Sequence, residues 1–158
     1  MNIEDYVKNY TEEDELKILF AWNGKHGDDF MDENLKFRRE VIKYFESGMA
    51  IFPLSLISAL YDAETEFAKE AWGVHPVVSK LAKELLERGG SKYVSTYLKG
   101  WARGMDAHLQ SKQIELSENC INELIKYSKL RKENDEFPNK QQAELFIEFL
   151  EYKLAQKH

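Results

Sequence analysis

The 158-residue chain carries 28 Asp and Glu against 22 Lys and Arg, a formal charge of -6, with 43% hydrophobic and 13% aromatic residues. That size suits one domain with a sizeable core, spanning residues 1–158, and the acidic balance argues against nonspecific binding to nucleic acid or to anionic membranes. The opening MNIEDYVKNYTEEDE lacks a basic start with an apolar stretch, no apolar run approaches membrane-spanning length, and the single cysteine, Cys120, excludes an internal disulfide, so a cytoplasmic, reducing setting is expected.

Helical patterns dominate and no run alternates cleanly between apolar and polar residues, which predicts an all-α fold: one compact bundle of about six to seven helices with short connections. Thr11 caps a first helix opened by Glu12, Glu13, Asp14 and Glu15, acids that complement the helix dipole, and this helix fades near Trp22. Residues 23–29 read as a polar loop. A second helix runs from about Asp32 to Gly48, a third from Pro53 to Trp72, and a fourth from Pro76 to Gly89-Gly90, with proline at the starts and glycine at the stops. Ser91 caps a fifth helix predicted to continue to Gln113. Ser117 caps a sixth ending near Lys132, and Asn139 caps the last, which runs almost to the C-terminus.

Gly100 and Gly104 fall inside the predicted fifth helix, where each costs about 1 kcal/mol against alanine. Their spacing predicts another helix crossing close to the backbone near His108, with Gly104 the tighter position.

The fourth helix has one apolar stripe of Val78, Leu81, Ala82, Leu85 and Leu86, and the sixth carries Cys120, Ile121 and Leu124 on one face, so both read as scaffold. The third is less tidy. Glu64 lies at the centre of its apolar arc, while Asp62, Glu66 and Glu70 follow one another on the opposite face. A carboxylate buried without a partner is expensive, and Arg38, on the apolar side of the second helix, is the expected cation. His108 is the other inward polar residue, lying between Tyr97 and Trp101 on the wheel. If the chain is an enzyme or a small-ligand binder, Glu64, Arg38 and His108 form its acid-base cluster; otherwise they are a buried ion pair and a core histidine.

Other chemistries find no pattern. His26, Asp28 and Asp29 share a loop but lack the paired spacing of a metal site, and neither H-E-x-x-H nor an EF-hand loop occurs, so no metal and no cofactor are expected. There is no G-x-S-x-G elbow and no Walker A loop. On the last helix, Glu144, Glu148 and Glu151 make an acidic stripe, and apolar residues occupy two sides: Phe146, Ile147, Leu150 and Leu154 on one, Leu145, Phe149 and Tyr152 on another. Such a helix is either fully buried or meets another chain, a homodimer being one form. The expected function is therefore binding of a protein partner through Glu144, Glu148, Glu151, Phe149 and Tyr152, in the manner of an immunity or inhibitor protein that neutralises a basic toxin or nuclease.

Overall fold

The computed structural model describes residues 2–158, which form eight α-helices and, among the described residues, no β-strand beyond one isolated antiparallel bridge between Trp22 and Asp32. The helices are α1 (Ile3–Lys8), α2 (Leu35–Ser47), α3 (Leu54–Ala71), α4 (Val77–Gly89), α5 (Val94–Trp101), α6 (Met105–Lys112), α7 (Glu118–Glu133) and α8 (Lys140–Ala155). The central element is α3, which packs against α4, α5 and α6, while α7 and α8 form an antiparallel pair joined by a short loop. Its centrality follows from composition: Leu56, Ile57, Leu60 and Tyr61 are fully buried, so more than one side of the helix needs a neighbour.

Capping residues set most boundaries. Gly48 closes α2 in the left-handed conformation at φ 70°. The side chain of Asn139 accepts from the Gln142 N–H at 3.1 Å to start α8. Ser117 starts α7 by accepting from the Cys120 N–H at 3.2 Å, and it is itself held by the Glu87 carboxylate, which accepts from both its N–H and its hydroxyl and so ties α7 to α4. The stripe on α4 is buried as its spacing requires, and Cys120 sits in the core, where burial pushes its thiol up to about 12.

The structure departs from the sequence expectation at three places. A six-residue helix, α1, precedes Thr11, too short to show a helical period. Residues 11–22 do not form an α-helix. A 3₁₀ segment, Glu12–Lys17, opens where the Asp14 carboxylate accepts from the Thr11 N–H at 2.9 Å, and the chain then becomes extended. Side chains take the carbonyls that a helix would have used: Asn34 Nδ2 donates to Leu16 O at 3.0 Å and Leu19 O at 2.9 Å, and Arg38 Nη1 donates to Ile18 O at 3.2 Å.

The third departure is the predicted fifth helix, which breaks into α5 and α6 at Gly104, where φ is 146° and ψ is 172°, a region open only to glycine. A Cβ placed on Gly104 would meet nothing within 4 Å. The tight position is instead Gly100, buried in α5, whose Cβ would lie 2.6 Å from the Tyr61 hydroxyl oxygen, so the helix that crosses here is α3. The corner is fixed by a buried polar knot. Tyr61 Oη donates to Tyr97 O at 2.8 Å and lies 2.8 Å from Ser111 Oγ, while Tyr97 Oη donates to Ser111 O at 2.6 Å. Arg103, in the turn, reaches back to α3, where it pairs with Asp62 at 2.8 Å and Glu66 at 3.1 Å. Two of the acids expected to face solvent on α3 are thus paired while staying partly exposed, Asp62 at 31% and Glu66 at 42%.

Candidate functional site

Glu64 and Arg38 meet as their wheel positions require. Arg38 Nε donates to Glu64 Oε2 at 2.5 Å, its Nη2 donates to Asp32 Oδ2 at 2.7 Å, and all three side chains have no solvent exposure. The guanidinium's planar fork makes this possible, because its separate N–H groups address two carboxylates and the Ile18 carbonyl at once. Arg39 completes the cluster. Its Nη2 lies 3.0 Å from Glu64 Oε1 without hydrogen-bond alignment, and its guanidinium stacks 4.8 Å from the centroid of Phe67. Two cations balance two anions. Asp32 is the member that the sequence pattern missed, because it precedes α2 and therefore carries no helical phase; it also holds the loop, accepting from the Ala21 N–H at 3.0 Å. Arg38, Asp32 and Glu64 are enclosed and paired while Arg39 caps the cluster from the partly exposed side, an arrangement that fixes the N-terminal segment onto α2 and α3.

His108 does not join this cluster. It lies on α6, with its ring centroid 4.6 Å from that of Trp101 at 84°, and burial together with nearby Lys112 holds its imidazole below the usual histidine value. Arg38 and Glu64 are not among the groups that act on it. The expected triad therefore separates into a closed ion cluster and a histidine on a different face, and the reason is the break at Gly104, which resets the helical phase on which the placement of His108 depended.

Among the described residues no three His, Cys, Asp or Glu side chains form a group able to hold a metal ion, and no helix is long and apolar enough to cross a membrane. No protein-family model, curated protein or solved structure matches the chain. Function must therefore be argued from the surfaces.

On α8, Glu144, Glu148 and Glu151 are exposed and line a groove against α7, but Glu144 lies 3.3 Å from Lys132 and Glu151 lies 3.8 Å from Lys129. That stripe is a surface of mixed charge. Phe149 is buried against Trp101 with ring centroids 5.3 Å apart, whereas Tyr152 is 62% exposed. The second apolar side of α8 is thus partly covered by α5 and α6 and partly open.

Acidic residues collect at the N-terminal end. Residues 2–15 contain six acids and one lysine, so this stretch alone carries five of the six net negative charges. Glu12 and Glu15, from the 3₁₀ segment, and Asp62 of α3, which is paired with Arg103, line an open cleft of about 370 Å³ whose walls also include Tyr10, Tyr93 and Lys99. Burial, and after it the carboxylates of Glu15, Asp14 and Glu12, push the Tyr10 phenol up to about 12.

Proposed function

We propose that the protein acts by binding another protein, that the partner presents a cationic surface, and that the N-terminal acidic end makes the first contact. The observation that supports this most is the concentration of charge in residues 2–15 beside a cleft with tyrosine walls. A localised negative field accelerates encounter with a basic protein, and tyrosines are suited to anchoring a complex once formed. An immunity or inhibitor protein that neutralises a basic toxin or nuclease in a reducing, cytoplasmic compartment is the concrete form of this proposal. The closed state of the Arg38 cluster adds to it, since the inward charges are already occupied with one another.

The test is affinity capture on the immobilised protein, followed by association rates for the captured partner between about 20 and 300 mM salt. The expected result is a rate that falls with salt and drops about tenfold in Glu12→Lys/Glu13→Lys/Glu15→Lys. Reversal at Glu144, Glu148 and Glu151, where lysines already compensate, is expected to have the smaller effect. Capture of no basic protein, or an association rate indifferent to salt and to both sets of reversals, would overturn the proposal.

A further inference from the structure

A second surface has the opposite character. Between α6 and α8 lies a groove of about 360 Å³ lined by Trp101, His108, Leu145, Phe149 and Tyr152, within the size range of small-ligand sites. Trp101 and Phe149 are both buried and meet edge to face at 79°, forming an aromatic floor. Leu145, at 48% exposure, and Tyr152 stand open along one wall. Two ammonium groups lean over the floor: Lys112 Nζ lies 5.5 Å from the Trp101 centroid and 5.7 Å from that of Phe149, and Lys153 Nζ lies 5.8 Å from the Phe149 centroid. Among the described residues neither lysine has a carboxylate within ion-pairing distance, in contrast to Lys129 and Lys132 on the α7 side of α8. Glu148 is the single acid in the lining. An acidic protein has therefore gathered two unpaired cations over one aromatic surface.

We propose that this groove binds an organic anion with a flat apolar body, an aromatic carboxylate whose ring packs on Trp101, Phe149 and Leu145 and whose carboxylate is met by Lys112 and Lys153. The aromatic floor supplies apolar contact and the lysines supply the charge that selects an anion. With Lys112 and Lys153 set against Glu148, the lining carries one net positive charge, which matches a singly charged carboxylate more closely than a doubly charged phosphate ester. His108 sits at the edge, so an anion seated on Lys112 also faces the imidazole.

The test uses 2-naphthoate and 2-naphthamide, which share a ring and differ in charge, titrated by calorimetry and by the His108 imidazole resonance. Saturable one-to-one binding of 2-naphthoate is expected with Kd below about 1 mM, given the affinity available to a ligand of this size. 2-Naphthamide is expected to bind about tenfold more weakly, and only 2-naphthoate should raise the His108 pKa. In Lys112→Met/Lys153→Met, which keeps the apolar stems over the rings, the two probes are expected to bind alike. Equal affinity of both probes for the parent protein overturns the proposal without recourse to any variant. So does absence of saturation at about 5 mM, or a sedimenting homodimer closed over Leu145 and Tyr152 that 2-naphthoate leaves intact.

Discussion

Replacing Gly100 with alanine adds one methyl group where no methyl fits. Its Cβ would lie 2.6 Å from Tyr61 Oη and closer still to the ring, and the ring cannot swing aside freely, because it is buried, stacked 6.1 Å from Tyr97 and hydrogen-bonded through its hydroxyl to Tyr97 O and Ser111 Oγ. Overpacking of a dense core costs about 1–3 kcal/mol, and displacing the hydroxyl leaves buried polar groups unpaired for about 1–3 kcal/mol more. The better helix propensity of alanine returns about 1 kcal/mol. The expected net loss is about 3 kcal/mol, which for a chain of this length lowers the melting temperature by roughly 9 °C. Urea denaturation followed by circular dichroism measures the first quantity and a thermal scan the second. The comparison variant is Gly104→Ala, whose penalty of about 1–3 kcal/mol comes from the backbone conformation alone. Since space around Gly104 is open, Gly104→Leu is expected to cost about as much as Gly104→Ala, whereas Gly100→Leu should cost far more than Gly100→Ala. A Gly100→Ala protein with the parental urea midpoint would refute the packing argument.

Arg38→Met strips Asp32 of the only cation that pairs with it among the described residues and Glu64 of its nearest one, in sites without solvent, so a loss of about 3–5 kcal/mol is expected by urea denaturation. Arg38→Lys should recover little of it, because one ammonium cannot serve two carboxylates and the Ile18 carbonyl in that geometry. His75 gives a pH dependence. Its Nδ1 accepts from the Val77 N–H at 3.0 Å to start α4, and burial followed by the Arg39 charge holds its pKa below the ordinary 6.5. A histidine whose folded pKa is depressed contributes fully above the unfolded value, and stability is lost as pH falls through 6.5 toward the folded pKa. The urea midpoint should therefore decline on going from about pH 7.5 to 5.5, and less so in His75→Asn, which keeps an acceptor at the cap and removes the titration. Parallel declines in both proteins would show that His75 is not the titrating group.

The helices with strong punctuation were legible in the sequence. Gly48, Pro53, Ser117 and Asn139 mark the ends of α2, α3, α7 and α8 within a few residues, because each supplies a local conformation or a cap that acts before any tertiary contact. The pairing of Arg38 with Glu64 was legible for a related reason: both lie inside long regular helices, where a residue's direction follows from its position. Asp32, Arg103 and His108 were not, since their directions depend on a loop, on a turn and on a helix that starts afresh at Met105. Gly104 misled because a glycine inside an apolar run fits a close helix crossing as well as a turn, and only its φ of 146° shows that the chain turns there. The partly open side of α8 could be read as a choice between burial and contact, but its lysine rim belongs to α6 as much as to α8 and appears only when the two helices are set side by side.

The corner at Gly104 also bears on the order of assembly. A continuous helix from Ser91 to Gln113 would be long enough to persist by itself for part of the time, whereas α5 and α6, at eight residues each, fall below the length of about 12 residues at which an isolated helix is even marginal in water. Neither half can serve as an early folding nucleus. α3, at 18 residues, exceeds that length, so the Tyr61, Tyr97 and Ser111 knot is expected to be tied on its surface, and the segment that shapes the aromatic groove to be completed after the platform beneath it.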